Sequence, residues 1–311
     1  MRVRIWLALI AIYLAWGSTY LAIRFAVETL PPFLMASTRF LISGAILILW
    51  RHLAGDVPPK RAEWRSTALV GLFLLVGGNG GVSWAEQYVP SGIAALIVGS
   101  TPLWIVLLDA LRPGGQKPSI WVLVGILVGF FGIVILVAPN DPRDLLHGLH
   151  PLGTLALVLA ALSWAIGSLI GRDAPLPSSA LLATAWEMLF GGLGLLILGS
   201  LSGEWGRLNL QGASIKSLYG LVYLIIGGSL VGFTCYTWLL RVAPISLAST
   251  YAYVNPLIAV ILGNLLAEEP LTPRILIATP IILGAVAFVR MKQSKAMSRK
   301  GIESAAFIQG K

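Results

Sequence analysis

The sequence predicts an all-α integral membrane protein with ten transmembrane helices in two inverted five-helix repeats. Three observations carry this prediction. Of 311 residues, 57% are hydrophobic and only 11% charged, with a mean hydropathy of +0.85, whereas a soluble domain carries roughly a quarter charged residues. Apolar runs close to the ~20 residues that cross a bilayer recur along the whole chain. Finally, a polar-aromatic outline, Trp16-Gly17-Ser18-Thr19-Tyr20 with Arg24, returns 148 positions later as Trp164, Gly167-Ser168 and Arg172.

The first run, 5–24, follows Arg2 and Arg4 and so resembles a signal peptide. It stays uncharged from Ile5 to Ile23 and no small-residue cleavage site follows, so it reads as a retained helix. The next four runs are 33–50, 66–86, 91–111 and 119–138. A break at Pro139-Asn140-Asp141-Pro142 precedes five more, at 151–170, 179–200, 217–240, 245–266 and 274–290. Pro31-Pro32, Pro58-Pro59, Pro90 and Pro244 mark connections. A proline at a helix entrance is tolerated because the first amides have no intrahelical partner. This gives a first repeat at 5–138, an extracytoplasmic linker at 139–150, a second repeat at 151–290, and a basic cytoplasmic tail at 291–311 expected to be disordered.

Orientation follows from the Lys and Arg distribution. With the N-terminus in the cytoplasm, sixteen fall on the inner side and five on the outer side (Arg24, Arg143, Arg207, Lys216 and Arg274), while Arg39 lies within the membrane. Both termini are therefore expected to be cytoplasmic. The halves align at an offset of 148 through Trp16 and Trp164, Arg24 and Arg172, and Gly44 and Gly192. At 154 they align through Trp84 and Trp238, Pro90 and Pro244, Ala94 and Ala248, and Pro102 and Pro256. Each half holds an odd number of spans, so the second enters from the opposite side. Inverted repeats of this kind place a solute site near the midplane between them.

The chemistry is carried by polar residues within the spans, because a charge at mid-bilayer costs roughly 2.5–3.5 kcal/mol on insertion scales and normally faces protein or water. Arg39 and Glu187 occupy equivalent places in the two halves. Either they face a cavity, Arg39 attracting an anion and Glu187 a cation or proton, or they form a structural ion pair or snorkel to the interface. Asn79 sits between Gly77-Gly78 and Gly80-Gly81, and Gly227-Gly228 and Gly232 precede Tyr236 and Trp238. Such glycines weaken a helix and admit close packing. The prolines of Thr101-Pro102 and Asn255-Pro256 free carbonyls that Thr101 and Asn255 are placed to satisfy. Tyr251 and Tyr253 offer phenols to a solute, whereas Glu86 and Asp109, near span ends, read as interfacial, with a proton site as the alternative for Glu86.

Other classes are disfavoured. Cys235 is the single cysteine, so no intramolecular disulfide forms. His52, His147 and His150 fall in connections, and no metal cluster, nucleophile elbow or phosphate loop occurs. The chain reads as neither an enzyme nor a cofactor carrier. The net charge of +9 is a topology signal rather than a nucleic-acid footprint.

The residues that carry a family resemblance are Trp16-Gly17-Ser18-Thr19-Tyr20 with Arg24, Arg39-Phe40, Val89-Pro90-Ser91-Gly92-Ile93-Ala94-Ala95, Ser163-Trp164-Ala165, Glu187-Met188 and Tyr251-Ala252-Tyr253-Val254-Asn255-Pro256. Over residues 5–290 the chain resembles the drug/metabolite transporter superfamily, specifically EamA-type exporters of the YedA-like kind. The resemblance implies an inner-membrane permease that exports small metabolites, such as amino acids or drug-like compounds, along a path between the repeats. Candidate lining residues are Trp16, Ser18, Thr19, Tyr20, Arg39, Asn79, Trp84, Trp164, Glu187, Tyr236, Trp238, Tyr253 and Asn255. The implied partners are a small-molecule solute and the bilayer, with proton coupling through Glu187 and uncoupled facilitation as alternatives. A non-transporting assembly protein is the rival class. No oligomeric state is assigned.

Overall fold

A bilayer core offers no water to hydrogen-bond, so a spanning chain has to satisfy its amides within each segment. The computed structural model describes residues 2–115, 117–138, 150–243, 245–248 and 250–309, and its regular structure among these is helical throughout. The helices are α1 (Arg2–Ala26), α2 (Pro32–Leu53), α3 (Arg61–Ala85), α4 (Ser91–Leu111), α5 (Ile120–Val137), α6 (Pro151–Asp173), α7 (Ala180–Leu201) and α8 (Ile215–Val242). They are followed by α9 (Tyr251–Ala267) and α10 (Pro273–Gln309). Among the described residues, nine are long and apolar enough to cross a membrane, and α9 is a shorter apolar helix preceded by the one-turn helix Ile245–Ala248. The expected break at Pro139–Pro142, together with Arg143, His147, Pro244 and Ser249, lies outside the described residues.

The expectation of a disordered tail is corrected. From Met291 the chain continues α10 without interruption to Gln309. The tail holds four Lys, three Ala, two Met and two Gln, all good helix formers, and no proline follows Pro280.

Contacts between helices reproduce the repeat. α2 crosses α7, and α5 packs along α10. α1 lies against α8 and α9, while its counterpart α6 lies against α3 and α4. The α2–α7 crossing is reciprocal: a Cβ on Gly44 would meet Leu189 Cδ2 at 3.1 Å, and one on Gly192 would meet Leu41 Cδ2 at 2.9 Å. Adding 148 to 44 and 41 gives 192 and 189, so each contact maps onto the other, as a two-fold relation requires. Glycines permit this approach because lipid tails are as apolar as leucine, which leaves close packing to drive helix association. The same holds at α5–α10, where Cβ atoms on Gly125 and Gly132 would stand 2.7 Å from Val289 Cγ2 and 2.8 Å from Ile282 Cγ1.

Four spans are irregular. α1 breaks at Ser18 and α4 at Gly99-Ser100, while α3 and α8 carry π-helical stretches at Leu72–Gly80 and Leu224–Val231. These stretches hold the two glycine clusters, where weak helix propensity permits wider winding. Pro102 opens the second piece of α4, whereas its match Pro256 stays inside α9.

The connections gather at two ends. One end joins Arg24, Glu28, Phe33, Glu86, Tyr88, His150, Glu204, Lys216 and Glu269 by direct contacts. The other, which carries both terminal helices, is tied by Asp109, Arg112, Arg172 and Asp173.

Candidate functional site

The opening cluster of the sequence lies mid-span against α8. The indole Nε1 of Trp16 donates to the Gly228 carbonyl at 2.9 Å, inside the π-helical stretch. A π-turn interrupts the regular ladder, so a carbonyl there needs another donor. Three rings surround the indole: Phe233 at 5.1 Å, Tyr236 at 5.2 Å and Tyr251 at 5.0 Å, and the two tyrosines lie 5.5 Å apart. Edge-on pairs of this kind add about 0.5–1.5 kcal/mol each beyond area burial. Gly232 makes the arrangement possible, since a Cβ there would fall on the Trp16 indole nitrogen.

Arg39 borders this box. It is 4% exposed, which removes the snorkelling alternative, and its Nε donates to Ser229 Oγ at 2.9 Å. Its guanidinium also lies 4.7 Å over the Phe40 ring. A Cβ on Gly228 would meet Thr19 Cγ2 at 2.8 Å and Arg39 Nη2 at 2.9 Å, so one glycine joins the aromatic box to the cation. Among the described residues no carboxylate pairs with Arg39, and the expected alternative of an Arg39–Glu187 ion pair is not formed.

The second half repeats the geometry with different chemistry. A Cβ on Gly78 would stand 2.7 Å from Trp164 Cε3, as one on Gly232 would stand against Trp16. Ser163, next to Trp164, donates to the π-helical carbonyl of Phe73 at 2.7 Å, the job done by Trp16 in the first half. Asn79 lies in the same π-helical stretch, and its side chain has no hydrogen-bond partner among the described residues. Gly71 of α3 abuts the backbone of Glu187, where a Cβ would meet the carbonyl oxygen at 2.5 Å.

Other expected residues lie apart. Ser18 and Thr19 spend their hydroxyls on the break in α1: Ser18 donates to Leu14 O at 2.5 Å and also meets Tyr223 Oη at 2.6 Å, and Thr19 donates to Trp16 O at 2.6 Å. Tyr20 and Trp84 pack on an apolar cluster with Ile23, Val89 and Leu157, and Trp84 meets Tyr88 at 5.2 Å. Trp238, by contrast, packs on the cluster of Leu9, Ile12 and Leu239 against which Trp16, Tyr236 and Tyr251 also rest. Tyr253 points to Leu103, Val122 and Val286, while Tyr251, two residues away, joins the box. Thr101 satisfies Val98 O at 2.6 Å as expected, but Asn255 is buried with Oδ1 unpartnered. Sequence reasoning missed the parts played by Ser163, whose signal was its place next to Trp164, and by Ser229 and Phe233, which adjoin glycines of α8.

Two acidic residues at span ends are enclosed by protein. Asp109 is 9% exposed and pairs with Arg112 at 2.6 Å and Arg172 at 2.7 Å. Glu86 is 0% exposed with both carboxyl oxygens unpartnered. Helical packing around a span end buries what a linear count of depth places at the surface. Arg24 anchors the chain by donating to Glu86 O at 2.8 Å. Of the histidines, His52 lies in the last turn of α2, and His150 accepts from Gly153 N at 3.1 Å at the start of α6. In the α2–α3 connection, hydrogen bonds from Arg51 and Ser179 hold the Asp56 carboxyl down at about 2.

Two small cavities among the described residues lie away from the aromatic box. One of about 140 Å³ sits between Ile93, Val260 and Leu271, and one of about 90 Å³ between Ile48, Pro59 and Trp186. Both are smaller than a typical metabolite site. The central cluster is packed ring on ring.

The EamA-like transporter family matches residues 4–138 and again 151–291. The chain belongs to that family. It is 38% identical to the "Uncharacterized inner membrane transporter YedA" of Escherichia coli (strain K12), over 91% of this chain and 90% of that one. Protein PecM of Dickeya dadantii is 29% identical over 88% of both chains. A crystal structure 22% identical in sequence superposes with a TM-score of 0.62, covering 92% of this chain and 96% of that one, and so shares the fold. As an EamA-like protein the chain is a multi-span membrane transporter, and the two family matches correspond to the two halves that pack reciprocally.

Proposed function

We propose that this EamA-like transporter exports small amphipathic metabolites that carry an anionic group, such as amino acids, across the inner membrane by alternating access between its two repeats. The observation that carries this reading is Arg39: a buried guanidinium with a neutral hydroxyl as its hydrogen-bond partner, set beside Trp16, Tyr236 and Tyr251. An unpaired charge in that place is costly unless a ligand completes it. A solute carboxylate supplies the missing charge, and the rings bury its apolar part at about 25 cal/mol per Å². The π-helical stretches of α3 and α8 support rocking, since each is held by a side chain from α1 or α6 of the other half. Both termini are cytoplasmic on the lysine and arginine distribution, and the YedA name supports the inner membrane. Glu187 is the carboxyl placed to couple transport to proton entry, and an uncoupled facilitator is the alternative.

The test is a thermal-shift screen of purified protein against amino acids and other small carboxylates, repeated with Arg39→Gln and Trp16→Ala. A carboxylate that stabilises the wild type should lose its effect in Arg39→Gln, and its radiolabelled form should exchange across proteoliposomes. A stabilising carboxylate whose effect survives Arg39→Gln would remove Arg39 from the site. Exchange of no small solute would favour a membrane assembly role.

A further inference from the structure

Glu86 follows the last residue of α3, at the end of the bundle opposite the termini. It is 0% exposed, and neither carboxyl oxygen has a hydrogen-bond partner. A carboxylate would be expected to recruit Arg24, but the Arg24 Nη1 is committed to the backbone carbonyl of Glu86 at 2.8 Å. Arg24 favours an anion at Glu86, but burial and the facing carboxyl of Glu269 outweigh it. α1 contributes the Tyr20 phenol beside Arg24, and the α9–α10 connection contributes a second carboxyl, Glu269. Glu269 is itself spent on the amides of Ser91 and Gly92, at 2.7 and 3.0 Å. Nearby, His150, which caps α6, is stacked on Tyr88 at 4.4 Å, and Arg207 reaches only as far as Gln87, at 3.4 Å. A desolvated, unpaired carboxylate facing another carboxyl is strongly disfavoured, so the side chain sits here as the neutral acid.

We propose that Glu86 is a proton-binding site that latches this end of the transporter: it holds a proton while the end is closed and releases it when the end opens. On opening, water reaches the carboxyl, the proton leaves to bulk solvent, and Arg24 is free to exchange the backbone carbonyl for the carboxylate. Closing runs the step backwards, with one proton taken up from the same side. Acid on that side therefore favours the closed end. The latch rests on alternating access for its opening step, but proton retention in the closed form is measurable without any solute.

The sign of the stability effect is fixed by linkage. The folded chain keeps a proton that the unfolded chain gives up above the ordinary glutamate value near 4.5. Stability from Glu86 is full below that value and is lost as pH rises above it. Thermal unfolding of the full-length protein should be followed from pH 5 to 9 in wild type, Glu86→Gln, Glu86→Ala, Glu187→Gln and the Glu86→Gln, Glu187→Gln double variant. The wild-type Tm should fall by about 3 °C per pH unit over part of this range. Glu86→Gln should reduce that slope and exceed the wild type at high pH, in the wild-type and the Glu187→Gln background alike. Glu86→Ala should also reduce the slope, whatever uniform loss its cavity brings. A slope unchanged in both Glu86 variants overturns the proposal. So does a slope that follows sodium rather than pH when choline replaces sodium, which would make the carboxyl a metal-cation site. Failure of the solute screen with an intact Glu86 slope would sink the export reading alone.

Discussion

Arg39 and Glu187 hold matching positions with opposite charge, and each meets a π-helical partner span through a close glycine contact. At Arg39 the contact is with the side chain, at Glu187 with the backbone. The cation is therefore clamped, while the acid keeps a side chain free of ion pairs among the described residues. That freedom suits a group whose charge changes during a cycle. Glu187→Gln is expected to abolish pH-driven efflux from proteoliposomes while leaving solute counterflow intact; efflux that still follows an imposed pH gradient would assign coupling elsewhere. Single residues were only partly legible in the sequence. Trp16 and Arg39 stood out because they are costly inside a membrane, and they lie together. Tyr251 and Tyr253 did not separate, because two residues along a helix is about 200° of rotation, and no count of depth says which face meets α1. Glu86 misled for the same reason: distance along the chain measures depth, not the packing of neighbouring spans.

Spans were legible as elements because lipid demands long apolar helices, and the glycine clusters marked irregular stretches without revealing that they would be π-helical. Hidden altogether was the way two helices of the first half are started. α2 and α4 follow Pro31 and Pro90, which offer no capping side chain. Their free amides are met from far away: Glu204 accepts from Phe33 and Leu34 at 3.2 and 2.9 Å, and Glu269 accepts from Ser91 and Gly92. A carboxylate there meets both the unsatisfied amides and the positive end of the helix dipole. α6, α7 and α8 instead cap themselves, through His150, Ser179 and Ser214. Glu204→Gln keeps one acceptor and removes the charge, and should lower stability by about 1–2 kcal/mol. Chemical denaturation in mild detergent would measure this, and a loss equal to that of an exposed control such as Glu28→Gln would contradict the capping role.

At the scale of the whole molecule, the two-fold relation governs the spans but not what fastens their ends. Around the terminal helices the repeats are joined by Asp109, Arg112, Arg172 and Asp173, of which the last three are 33%, 46% and 54% exposed at the side chain. At the opposite end the repeats are joined by the carboxylate caps, Glu204 being 1% exposed, and by one open pair, Lys216 with Glu28 at 2.8 Å. Screening acts on charges that solvent reaches and far less on buried ones, and a lone exposed pair contributes little. Raising KCl from about 0.15 to about 1 M, which shortens the Debye length from roughly 8 to 3 Å, should speed amide hydrogen exchange where α4 and α6 meet. The amides of Phe33, Leu34, Ser91 and Gly92 should stay protected. Equal acceleration at both ends would show that the caps are no better shielded than the ion pairs. The borrowed caps thus make a nearly symmetric protein respond asymmetrically to its surroundings: dissolved ions should loosen one end and leave the other fastened, and under the proposed alternating access ionic strength alone would bias which side of the membrane the resting protein faces.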